Sequence, residues 1–159
     1  MGELPIPFRS VRRVLPVLLA FCVLAPTGLR AQASITEVSP KDMTKILGSM
    51  GFEVKETKSL EADQHALKFE LSGYTVVMFL ANGNTDAQLY VGFSDEQVTA
   101  QQMNEWNRAH RFSRAYVDGD GNPILEADID FTGGVSEENI KAWVRLFRDL
   151  LVSYVDYLN

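Results

Sequence analysis

The sequence predicts an α+β domain: a mainly antiparallel sheet with helices packed on it, in the order α-β-β-β-β-α-β-β-α. Three observations carry this. Three segments repeat apolar residues at helical spacing behind good N-caps. Six short segments alternate or run apolar in the manner of strands. Several of those strands are joined by turns too tight for a crossover, so the joined neighbours run antiparallel.

The first helix is expected over residues 40–50. Ser39 is a natural N-cap, Pro40 sits where a missing N–H costs nothing, and Val38 and Met43 hold the two staple positions. Met43, Ile46, Leu47 and Met50 share one face, and Gly51 tolerates the positive φ that ends a helix. Strands are expected over 52–58 (an edge strand), 64–71, 74–80 and 87–93. The second alternates, with Leu67, Phe69 and Leu71 on one side and Lys68 and Glu70 on the other. The third is almost wholly apolar and suits a strand covered on both faces. Ser72 with Gly73, and Asn82 to Asn84, are the turns between them.

Residues 100–110 form the second helix, with Thr99 and Gln102 as a capping box and Val98 and Met103 as its staple. Strands at 113–117 and 124–131 flank a turn rich in Asp and Gly, a strong hairpin pattern. Ser136 caps the last helix, and Glu137 and Glu138 favour its positive end. Its stripe includes Ile140, Trp143, Val144, Phe147, Leu150, Leu151, Tyr154 and Leu158, with Leu146 and Tyr157 widening it. That is more apolar surface than one sheet face needs, which leaves an interface open as its use.

Residues 1–33 read as a signal peptide. Arg9, Arg12 and Arg13 precede a 12-residue apolar run, and Ala31, Gln32 and Ala33 make an A-x-A cleavage site. The run is shorter than the roughly 20 residues of a spanning helix, so the expectation is a periplasmic or secreted protein cut after Ala33. Residues 34–159 then form one domain, without a membrane segment. The single Cys, Cys22, leaves with the leader, so no disulfide holds the remainder. Removal of the leader takes four Arg and one Glu, leaving 11 basic and 20 acidic residues and a net charge of −9. That charge disfavours nucleic acid and anionic membranes as partners.

No catalytic constellation emerges. Asp118, Asp120 and Asn122 begin like a calcium loop, but Pro123 replaces the turn glycine and Ile129 the bidentate glutamate, so a hairpin turn is the favoured reading. Glu126, Asp128 and Asp130 share one face of a strand and could in principle run acid–base hydrolysis. With Arg114 on the facing strand, a solvated or salt-bridged face is preferred. His65 and His110 lack metal-ligand spacing, and Glu96 occupies the closing position of a nucleophile elbow around Ser94. No cofactor or metal is implied.

The richest stretch is Trp106, Asn107, Arg111, Phe112, Arg114 and Tyr116. Trp106, Arg111, Arg114 and Tyr116 are the candidate partner-binding residues, since aromatic and Arg clusters recur at protein contacts. The competing reading makes Trp106 core and has Asn107 satisfy backbone groups near the helix end; it is preferred for these two.

Trp106 and Asn107, the run Arg111 to Tyr116, the turn Asp118 to Pro123, Leu125 to Asp128, and Gly133 to Ser136 together resemble the YbjN domain family, over about residues 40–158. That family is labelled a bacterial sensory transduction regulator. The resemblance implies a fold like that of type III secretion chaperones, small proteins that bind polypeptides and often dimerise, and it implies no catalytic residue.

The expectation is therefore an exported, non-enzymatic module that binds a protein or peptide, with a homodimer as a further option. The alternatives are a small-ligand or metal-binding protein and, last, a carboxylate-based hydrolase.

Overall fold

A computed structural model describes residues 34–59, 64–94 and 96–159; the predicted leader and its Cys22 lie outside the described residues. The chain forms α1 (Pro40–Ser49), β1 (Lys55–Thr57), β2 (His65–Leu71), β3 (Tyr74–Ala81), β4 (Asp86–Gly92), α2 (Ala100–Ala109), β5 (Arg114–Val117), β6 (Pro123–Asp130) and α3 (Glu137–Leu158). This is the predicted α+β order. The six strands make one antiparallel sheet in the order β1-β2-β3-β4-β6-β5.

Local chemistry sets the helix starts. Ser39 accepts from the N–H of Asp42, Thr99 and Gln102 close a reciprocal capping box, and Ser136 accepts from the N–H of Asn139. Gly51, with φ +93°, takes the left-handed position after α1. Of the strand expected over 52–58 only Lys55–Thr57 pairs, and all three of its residues are exposed.

The helices cover one face of the sheet. Leu67, Phe69 and Leu71 of β2, Val76, Met78 and Leu80 of β3, and Leu89 and Val91 of β4 form a single core with Ile46 and Leu47 of α1, Met103 and Trp106 of α2, and Phe147, Leu151 and Tyr154 of α3. The expectation that residues 74–80 are covered on both faces is corrected. Val76, Met78 and Leu80 are buried, but Thr75 is exposed and Val77 and Phe79 are half-buried. Among the described residues the second face has no helix over it. Its apolar residues lean on cross-strand neighbours instead, as where Phe79 meets Tyr90 edge-on at 6.0 Å.

Most of the α3 stripe is used within the one chain. Ile140, Val144, Phe147, Leu151 and Tyr154 are buried, whereas Leu146, Val152 and Tyr157 stay exposed. Tyr157 still donates its hydroxyl to the carbonyl of Gln102, tying α3 to α2. Near the start of the described residues, Ile35 forms a two-bond bridge with Val135 (2.7 and 2.9 Å). Gly134, with φ +81°, lies so close to Ser34 that a β-carbon there would collide with its hydroxyl.

Candidate functional site: the corner between α2, β5 and β6

The residues singled out in sequence converge where α2 ends and β5 begins, but they do not share one surface. Trp106 is buried at 1% exposure. Its ring stacks on His110 (3.5 Å between centroids) and meets Tyr154 edge-on at 4.9 Å, while Nε1 donates to the Ser113 hydroxyl at 3.4 Å. As a partner contact Trp106 is therefore corrected to a core residue. Asn107 satisfies the backbone, as its competing reading held: Nδ2 donates to the carbonyl of Ala115, and the Ala115 N–H donates to Oδ1.

Arg111, Arg114 and Tyr116 do reach the surface region. The Arg111 guanidinium stands 5.0 Å from the ring of Phe112. Phe112 is 64% exposed and its backbone is left-handed, with φ +67°. It fits neither the periodicity of α2 nor the alternation of β5.

Arg114 donates through Nε and a terminal nitrogen to Glu126 directly across from it, and the Tyr116 hydroxyl donates to the other Glu126 oxygen at 3.3 Å. Glu126 is only 2% exposed although it lies on the sheet face without helices. The reading of that face as solvated is corrected at this position; its salt-bridged alternative is what forms. Register places Glu126 between Tyr90 and Arg114, with Tyr116 diagonal to it. The surroundings act on the neighbours. Burial, and then the Glu126 charge, push the Tyr116 phenol up to about 12. Burial, with Asp118 and Glu126, also raises Tyr90, and the bond to Glu126 raises Arg114. Phe112, Ser113, Arg114, Glu126, Ala127 and Asp128 line an open groove at this corner.

Hydrogen-bond parity defines the groove floor. The Phe93 N–H donates to Pro123 and the Phe131 N–H to Thr85, so odd-numbered residues of β6 bond β4. Even-numbered residues turn toward β5, as the bond from the Asp118 N–H to Asn122 continues to show beyond the strand ends. β5 stops at Arg114, opposite Glu126. Past it, Asp128 and Asp130 direct their backbone N–H and C=O groups to the sheet edge, and among the described residues no strand lies beside them. By the same parity Ala115 points its backbone groups to the outer edge of β5, and there Asn107 takes both.

The remaining motifs resolve into structure. Asp118 accepts from the N–H groups of Asp120 and Asn122 at 2.9 and 2.8 Å, and these backbone donors hold its carboxyl below the usual range. The segment is a hairpin turn between β5 and β6. Asp128 accepts from Gln88, and Asp130 from the backbone and hydroxyl of Thr132, which lowers the Asp130 carboxyl. His65 opens β2 and His110 caps α2, on separate elements; Ser94 is exposed in the loop after β4. Among the described residues no three His, Cys, Asp or Glu side chains are grouped to hold a metal.

These features define a small α+β domain with a one-sided helical cover and an open groove at the end of its sheet. The chain belongs to the YbjN family, described as "Putative bacterial sensory transduction regulator", whose family model matches residues 39–159. A search of curated proteins finds no match.

Proposed function

We propose that this chain is an exported, non-enzymatic interaction module that binds a protein or peptide segment at the groove beside Phe112. The observation that carries the reading is Phe112 itself. A non-glycine residue in the left-handed region costs about 1–2 kcal/mol, and exposing a phenylalanine forgoes about 2 kcal/mol of burial. Only part of that cost is offset within the fold: the Arg111 guanidinium stands 5.0 Å from the ring, which stays 64% exposed at the edge of the groove. Strain and apolar exposure at one residue, next to Arg111, Arg114 and Tyr116, fit a contact point for another polypeptide. Export is supported by the leader pattern of residues 1–33. A polypeptide-binding role also agrees with the fold resemblance of the family to type III secretion chaperones.

A photoreactive benzoylphenylalanine placed at position 112 in the native host tests this. One defined polypeptide adduct is expected there and none from the same probe at Val152, an exposed position on α3. Equal labelling at the two positions, or no adduct at 112, overturns the reading.

A further inference from the structure

We propose that the open edge of β6 at Asp128 and Asp130 is a strand-addition site for an extended segment of a partner protein. The segment carries Lys or Arg at two alternate positions with an apolar residue between them. This rests on the module reading above and names the chemistry of its partner.

The edge is open for a definite reason. β6 runs to Asp130, but β5 begins only at Arg114, because the left-handed Phe112 carries the preceding chain off toward α2. A strand continuing the line of β5 would pair with Asp128 and Asp130, whose four backbone groups point into that space. The neighbouring edge is not available in the same way, since Asn107 already holds both groups of Ala115. The added strand would enter beside the exposed Phe112, along the groove floor of Ala127 and Asp128.

Side-chain parity sets the preferred sequence. Residues of the added strand opposite Asp128 and Asp130 lie on the sheet face without helices, directly across from two carboxylates. Asp128 is engaged through one oxygen by Gln88, and Asp130 through one oxygen by Thr132, so each keeps an oxygen for a cation. Arg114 does not compete for them, because Glu126 holds it. The residue between the two cations lies on the helix side opposite Ile129, which is packed against the core, and an apolar side chain suits it. A second copy of this chain fits poorly. Antiparallel pairing of β6 with itself sets acidic residues across from acidic residues in any register near Asp128.

The test uses the protein expressed from the full sequence and a nine-residue peptide containing Lys-Val-Lys. Amide hydrogen exchange should slow at Asp128 and Asp130 on binding. The matching Glu-Val-Glu peptide should bind at least tenfold more weakly. Methylating the backbone nitrogens of the two Lys residues removes their bonds to β6 and should weaken binding by roughly tenfold or more. Asp128→Asn, which keeps its bond to Gln88, should weaken it by roughly 2–5-fold. Asp128→Lys with Asp130→Lys should reverse the charge preference. Absent binding, unchanged exchange at these two amides, or binding indifferent to N-methylation overturns strand addition. A defined adduct from position 112 would still stand in that case and keep the module reading, so the two fail separately.

Discussion

The side-chain amide of Asn107 holds both backbone groups of Ala115, each at 2.8 Å, and so fastens α2 to the outer edge of β5. Asn107→Ala leaves that N–H and C=O without partners at a part-buried edge. It should cost about 2 kcal/mol and lower Tm by several degrees, as calorimetry would show. A variant melting at the original temperature would mean that water replaces the amide.

The pair between Arg114 and Glu126 is unequal, since the carboxylate is buried and the guanidinium is mostly exposed. Arg114→Met therefore strands a buried charge and should cost about 2–3 kcal/mol. Replacing both, as Arg114→Met with Glu126→Leu, should recover most of the loss. Urea denaturation of the two singles and the double measures this; strictly additive losses would refute it.

Tyr116 links stability to alkaline pH. Its phenol titrates near 10 when unfolded and at about 12 in the fold, because burial and the Glu126 charge oppose the phenolate. The folded state then holds its proton more tightly than the unfolded state does. This stabilisation is complete below pH 10 and is lost as pH rises from 10 through 12. Tyr116→Phe should flatten part of that decline in urea midpoints taken between pH 9 and 12.

Phe112→Gly separates function from folding. Glycine relieves the left-handed backbone, which offsets its greater unfolded-state entropy. Tm should therefore change by no more than about 2–3 °C, while partner crosslinking through a probe at Ser113 falls by at least half. A large drop in Tm would make Phe112 a structural residue.

At Gly134 the backbone is left-handed and the space for a β-carbon is filled by Ser34. Gly134→Ala should cost about 1–2 kcal/mol and loosen residues 34–36, read as faster amide exchange at Ile35. Unchanged exchange there would show that the turn adjusts without disturbing the bridge.

Caps, staples and tight turns made the element order legible in the sequence, because each depends on residues a few positions apart. Burial on the sheet was less legible. The apolar run at 74–80 suggests cover on both faces, but half of it leans on neighbours such as Tyr90, and strand register decides that. Glu126 shows the same limit. Its alternation puts it on the polar face, and only the side chains across from it on β4 and β5 bury it. At the site, the Trp106 to Tyr116 stretch was recognisable, but spacing could not tell the core member, Trp106, from the exposed one, Phe112. That depends on a single backbone torsion.

The bridge between Ile35 and Val135 joins residues about a hundred positions apart, so it closes late in any order of folding. During synthesis, at roughly 5–20 residues per second, its first half emerges many seconds before its second half exists. The opening segment can gain its partner only after the final hairpin and the turn before α3 have left the ribosome. An engineered fusion joined at residue 34 attaches directly beside that turn, where Ser34 packs on Gly134. Fusions joined at residue 34 should therefore interfere with folding more than fusions joined at Asn159, which is exposed at the end of α3.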